Sequence, residues 1–184
     1  YSQLPPKSAT AKPYVATATA ATIYDRSSSS FLYEKAAHEQ RPVASITKIA
    51  TALTLLDSHS LDEIVTVPKL PAAGIYDQSL RIQTGDRFTL REAMRGMLIY
   101  SANDMAQALA IWDSGSEAAF ARKMNGQVAR WGLRETNFVN PTGLDADGAH
   151  SSAHDLTVLA SILLQNKFFA DTVATPRASI QTLS

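Results

Sequence analysis

Pro42-Val43-Ala44-Ser45-Ile46-Thr47-Lys48-Ile49 is the stretch on which the fold of this 184-residue chain is read. A proline pushes the residue before it out of the α region, so Pro42 stands where no helix has yet begun. A helix is predicted from about Ser45, because Ile46, Ile49, Ala50, Leu53 and Leu56 recur on one face at helical spacing. Ser45 and Lys48 are three residues apart and therefore neighbours, on a face offset from that stripe. A serine hydroxyl becomes an effective nucleophile when a base takes its proton. A lysine can be that base once burial or a nearby cation lowers its pKa. At a helix start, Ser45 would also meet free N–H groups that favour developing negative charge. The same residues can be read as a serine cap and a surface lysine, and Ser–x–x–Lys recurs by chance.

Working outward, residues 1–13 are rich in Pro, Ser, Ala and Lys and read as a flexible arm. Residues 14–24 alternate and carry β-branched side chains, which predicts a strand. A turn over 25–30 and a return strand, Phe31-Leu32-Tyr33-Glu34-Lys35, complete a hairpin. Such a hairpin is marginal alone and needs further strands or a packed helix. Residues 61–88 read as loops and short strands, with Ile64-Val65-Thr66-Val67 the apolar piece. Thr89 and Glu92 form a capping-box pattern, opening a helix with Leu90, Met94, Met97 and Leu98 as its apolar residues. A second helix runs through Ala108 and Leu109. A third runs from about Ser116 to Arg130, with Phe120, Met124, Val128 and Trp131 on one stripe. Asn140-Pro141-Thr142-Gly143 and Asp147-Gly148 mark a loop. Ser152 with Asp155 caps a last helix, buried through Leu156, Leu159, Leu163 and Leu164, and the tail after Phe169 carries weak signals.

Composition sets the remaining bounds. Seventeen basic residues balance seventeen acidic ones, so nothing in the overall charge argues for nucleic acid or an anionic membrane surface as partner. Arg81, Arg87, Arg91 and Arg95 are the densest basic stretch, but Asp86 and Glu92 interrupt it, as on a solvated helix face. The absence of cysteine removes disulfides, thiolate nucleophiles and cysteine-based metal sites. No run approaches the roughly 18 apolar residues that span a bilayer. The start, Tyr1-Ser2-Gln3-Leu4, fits a chain whose export signal has been removed. His150 and His154 are four apart, yet no glutamate-bearing zinc pattern surrounds them, so a loop histidine and a cap-region histidine are expected. No metal or other cofactor is expected.

Ser101-Ala102-Asn103 is the second candidate site, in the loop between two predicted helices. Its hydroxyl could relay a proton to a leaving amine, and its amide could hold a substrate carbonyl and restrain the lysine. Serine and asparagine also cap helices well. Together the two motifs resemble the serine penicillin-binding proteins and β-lactamases, whose signature is Ser–x–x–Lys, then Ser–x–Asn, then Lys–Thr–Gly. Pro42–Ile49 resembles the nucleophile segment of the low-molecular-mass D-alanyl-D-alanine carboxypeptidases, and Gly96–Ala110 their second motif region. Phe138–Leu144 with Ser152–Leu156 resembles the segment after it. The resemblance covers roughly residues 14–165, with the segments in family order.

That resemblance implies an α+β, β-lactamase/transpeptidase-like domain over 14–184, a helical cluster with an antiparallel sheet. It implies a serine D-alanyl-D-alanine carboxypeptidase acting on peptidoglycan stem peptides, acylated by β-lactams. Ser45 would be the nucleophile, Lys48 the general base, Ser101 the proton relay and Asn103 the substrate- and lysine-positioning amide. A D-alanyl cross-link endopeptidase and a truncated or non-catalytic peptidoglycan-binding protein, inactive on its own for want of a Lys–Thr–Gly motif, are the rival readings. The implied location is the bacterial periplasm or the outer face of the cytoplasmic membrane. The sequence departs from the family at the third motif: it contains no Lys–Thr–Gly, and Thr142-Gly143 follows Pro141. In the family that motif lies on a strand downstream of the last matched helix. The expectation is a chain without the C-terminal strands, completed by a further C-terminal segment or a second chain.

Overall fold

The protein is described by a computed structural model covering Thr10, residues 15–71 and residues 78–183. Apart from Thr10, the arm expected over 1–13 lies outside the described residues. The helix expected from Ser45 opens slightly later. Ala44–Ile46 make one 3-10 turn, and α1 runs from Thr47 to Leu56. Its buried face also differs from the expected stripe. Ile46 is half exposed, whereas Thr47, Lys48, Ala50, Thr51, Ala52, Thr54 and Leu55 are buried. The reason is position: α1 contacts α2 (Leu90–Tyr100), α3 (Asn103–Ser114), α4 (Glu117–Arg130) and α5 (Ala153–Leu163). A helix surrounded in this way needs small side chains and satisfied polar ones. Alanine and threonine provide both; Thr54 Oγ1, for example, donates to the Ala50 carbonyl at 2.8 Å.

The caps read from sequence form as expected. Thr89 Oγ1 accepts from the Glu92 N–H at 3.2 Å, and Ser152 Oγ from the Asp155 N–H at 3.0 Å. Ser116 caps α4 in the same way. Trp131 departs from the stripe expected for α4: it follows the last helical turn and is half exposed. The tail holds one more helix, α6 (Lys167–Val173), capped by Asn166 and burying Phe169 and Thr172. With 7 residues it is too short for periodicity to reveal. Leu55, Leu90, Met97, Met105, Leu109, Phe120 and Leu159 belong to one apolar core shared by the helices.

The first strand is shorter than expected. β1 is Ala21–Asp25, not residues 14–24, and pairs antiparallel with β2 (Ser30–Lys35). Before β1, the Lys35 ammonium takes the carbonyls of Ala16 (2.9 Å) and Ala18 (2.8 Å), so these groups bond a side chain and join no ladder. β3 (Ile64–Thr66) pairs antiparallel with β4 (Arg87–Thr89) as a separate two-stranded sheet. The hairpin packs on α5, where the Thr22 and Thr157 hydroxyls meet at 2.6 Å. A packed helix thus supplies the support that the hairpin needs. The mixed α+β architecture, a helical cluster with small antiparallel sheets, is as expected.

Candidate active site

Ser45 sits on the 3-10 turn immediately before α1. The preceding Ala44 has φ 46°, a left-handed conformation that costs an alanine about 1–3 kcal/mol. The neighbouring loop explains how it is held. A Cβ built on Gly143 would lie 1.8 Å from the Ala44 carbonyl oxygen, and Gly143 itself has φ +80°. Only glycine meets both demands, so the 140–144 loop seats directly against the Ser45 turn. Asn140 shapes that loop: its Oδ1 accepts from the Thr142 N–H (3.1 Å), the Thr142 hydroxyl (2.9 Å) and the Gly143 N–H (2.7 Å). Thr51 pins it to α1 by donating to the Pro141 carbonyl at 2.7 Å.

Lys48, one helical turn along from Ser45, is 2% exposed. Its Nζ lies 2.9 Å from Ser45 Oγ, 2.8 Å from Asn103 Oδ1 and 2.8 Å from the Thr142 carbonyl oxygen. An ammonium has three N–H donors, and here each has an acceptor. Burial pulls the Lys48 pKa down from 10.5 to about 8. On the order of a tenth of the side chain is then neutral at pH 7. In that form the amine keeps two hydrogens and one lone pair. Asn103 Oδ1 and the Thr142 carbonyl can only accept, so they retain the hydrogens and the lone pair faces Ser45. That is the geometry in which an amine receives a serine proton.

The second motif enters through the α2–α3 corner. Ser101 ends α2 at φ 61°, Ala102 is the N-cap of α3, and Asn103 opens α3 with its amide on Lys48. Ser45, Lys48 and Asn103 are therefore joined by hydrogen bonds. Ser101 is half-buried at the same corner, and among the described residues it bonds none of the three. Asp104 fixes the corner from behind. Its buried carboxylate accepts from Ser79 Oγ (2.8 Å) and from the N–H groups of Leu80 (3.1 Å), Ile82 (3.2 Å) and Met105 (2.9 Å). The Ser45 N–H donates to no partner among the described residues and is available to a developing oxyanion.

Sequence reading assigned no role to Thr51, Asp104, Asn140, the Thr142 carbonyl or Gly143. The Asn-Pro-Thr-Gly turn signal located the loop, but nothing local placed it on Lys48. A cleft of about 330 Å³ adjoins the Ser45 turn, lined by Ala44, Thr47, Asn140, Gly143, Asp145 and His150 among others. His150 pairs with Asn137 outside any helix, so it shares no helical face with His154 in α5. Of the arginine stretch, Arg91 and Arg95 pair with Asp62 and Glu92, as on a solvated face.

Residues 7–181 match the family model described as D-alanyl-D-alanine carboxypeptidase. The chain belongs to that family, within the serine penicillin-binding proteins of transpeptidase-like fold. Among curated relatives it is 35% identical over 152 residues to the D-alanyl-D-alanine carboxypeptidase DacF of Bacillus subtilis, covering 80% of this chain and 39% of that one. It is 30% identical over 161 residues to a D-alanyl-D-alanine endopeptidase of Pseudomonas aeruginosa, covering 87% and 52%. The chain thus spans about two-fifths to one half of the length of these relatives. The crystal structure of a D-alanyl-D-alanine carboxypeptidase from Mycobacterium tuberculosis superposes with a TM-score of 0.85 at 28% identity, over 95% of this chain and 69% of that one.

Proposed function

We propose that this chain carries the nucleophile-bearing part of a serine D-alanyl-D-alanine carboxypeptidase acting on peptidoglycan stem peptides. The observation that carries the reading is the buried Lys48 amine, 2.9 Å from Ser45 Oγ with its other two contacts restricted to acceptors. In this reading Ser45 Oγ attacks the carbonyl between the two D-alanines as its proton passes to Lys48. The C–N bond then breaks. Ser101 helps pass a proton to the departing amine of D-alanine, and Asn103 holds substrate backbone while restraining Lys48. Water attacks the resulting ester, releases the shortened peptide and restores the Ser45 hydroxyl. The Ser45 N–H is one oxyanion donor. The other, with the substrate-carboxylate contact, belongs to a Lys–Thr–Gly strand supplied by a further C-terminal segment or a second chain. β-Lactams enter by the same acylation.

The substrate sets the location: the bacterial periplasm or the outer face of the cytoplasmic membrane. Among the described residues no helix is long and apolar enough to cross a membrane. Incubation with penicillin followed by intact-mass measurement and peptide mapping should place one adduct on Ser45, and Ser45→Ala should abolish it. With the Lys–Thr–Gly strand also supplied, a correctly folded protein that forms no adduct would overturn the nucleophile assignment and favour a non-catalytic peptidoglycan-binding role. The endopeptidase relative keeps cross-link cleavage as a second reading. Release of D-alanine from a pentapeptide, compared with cleavage of a cross-linked dimer, separates the two.

A further inference from the structure

Two imidazoles and three carboxylates converge where β2 ends and α5 begins, on residues that the proposed reaction does not use. The backbone sets up the meeting. Ala36, at φ 44°, turns the chain after β2, and the Ala37 carbonyl accepts from the His154 N–H at 2.9 Å. This clip brings the His38 and His154 rings to 4.4 Å between centroids. Phe31 stacks on His154 at 4.7 Å and 22°, which fixes the imidazole plane and leaves its ring edges open. Glu34, His38 and His154 offer donor atoms all within 4.8 Å of one another. Glu135 approaches from the other side, its Oε1 3.6 Å from His38 Nδ1, and it too has a donor atom within 4.8 Å of one on His154.

We infer that Glu34, His38 and His154 form a binding site for a divalent transition-metal ion of the zinc type, with the fourth position left to water. Imidazole and carboxylate together are a ligand set that Zn2+ and its neighbours favour over Ca2+ or Mg2+. Asp155 adds an observation of a different kind. Its carboxylate is 2% exposed, and its Oδ1 lies 3.5 Å from His154 Nδ1. A metal-bound histidine characteristically donates its second ring N–H to a carboxylate, which fixes the tautomer and leaves the other nitrogen for the ion. His154 with Asp155 has that arrangement. Among the described residues no lysine or arginine pairs with Glu34, Glu135 or Asp155, so the cluster's negative charge has no other fixed cation. Tetrahedral Zn2+ holds its donors roughly 3.3 Å apart, so the site must contract on binding. The two ligands that must move most freely, Glu34 and His38, are 45% and 60% exposed. A bound ion would tie the hairpin to α5, the contact on which a two-stranded sheet depends.

Titration of the chelator-treated chain with Zn2+ and with Co2+ tests the site directly. We expect one ion per chain, Co2+ visible bands of a four-coordinate N/O centre, and a higher unfolding temperature with Zn2+ but not with Ca2+. His38→Gln and Glu34→Gln, both at exposed positions, should weaken Zn2+ binding about 10–100-fold and abolish the Co2+ bands. His150→Gln should change neither. The inference is overturned if no stoichiometric binding occurs, if the unfolding temperature ignores Zn2+, or if binding survives both His38→Gln and Glu34→Gln. In those cases the five side chains form an imidazole–carboxylate cluster only. Penicillin acylation of Ser45 reports on the catalytic reading separately.

Discussion

Lys48 Nζ lies 2.8 Å from the carbonyl oxygen of Thr142, a residue 94 positions away in the chain. This contact gives the amine a direction. With Asn103 Oδ1 and the Thr142 carbonyl both restricted to accepting, the one direction left for the neutral amine's lone pair is Ser45 Oγ.

Replacing that amine should remove general-base assistance and leave the turn intact. For Lys48→Met, penicillin acylation of Ser45 is expected to slow by about 10^2–10^4-fold, read by intact mass over time. Acylation at the wild-type rate would show that Lys48 is not the base.

The depressed Lys48 pKa gives acylation a pH profile. The rate should climb about tenfold per pH unit below neutrality and level off above about pH 8, where the amine becomes mostly neutral. Stability follows with a definite sign. The folded pKa of about 8 lies below the 10.5 of the free side chain, so the unfolded chain holds the proton more tightly. Lys48 therefore disfavours folding at pH below 8, and this penalty is relieved as pH rises from 8 towards 10.5. The urea midpoint of wild type relative to Lys48→Met should rise between about pH 7 and about pH 9.5. A constant difference would contradict the burial argument.

Asn103→Asp keeps size and the acceptor atom but places a negative charge on Lys48. An opposite charge at this distance should raise the lysine pKa by about 1–3 units. The acylation profile is then expected to move to higher pH by a similar amount, with little activity at neutrality. An unshifted profile would mean that the Asn103 contact does not govern the base.

Gly143→Ala tests the seating of the loop on the Ser45 turn. The new methyl would fall 1.8 Å from the Ala44 carbonyl oxygen at a residue with φ +80°. We expect a loss of about 2–4 kcal/mol in chemical denaturation and slower acylation. Gly126→Ala, whose Cβ meets nothing within 4 Å, is the control and should be neutral or slightly stabilising.

Much of this molecule is legible locally. The caps at Thr89 and Ser152 satisfy N–H groups three residues away, so short sequence patterns reveal them. The α2 and α4 stripes around Met94, Met97, Phe120 and Met124 are legible for the same reason, since one face meets the core. The α1 face is not. Ile46 and Leu53 look like its core in a plot of apolar spacing, but contact with four helices buries Lys48, Thr51 and Thr54 instead. β1 is misjudged because the bonds that compete for the Ala16 and Ala18 carbonyls come from Lys35, more than a dozen residues on.

The sequence by itself determined the family, through Ser45, Lys48, Ser101 and Asn103 in order with the Asn140–Asp155 region, and it placed Ser45 beside Lys48 by helical spacing alone. Tertiary structure decided what Lys48 is. Its buried position, its lowered pKa and the direction of its lone pair depend on Asn103 and Thr142, which reach it from distant parts of the chain. The same holds for His154, whose neighbour in sequence is Asp155 but whose facing imidazole is His38. Desolvation and hydrogen-bond partnership are properties of what surrounds a group in space, and spacing along a chain reveals them only within a helical turn or two.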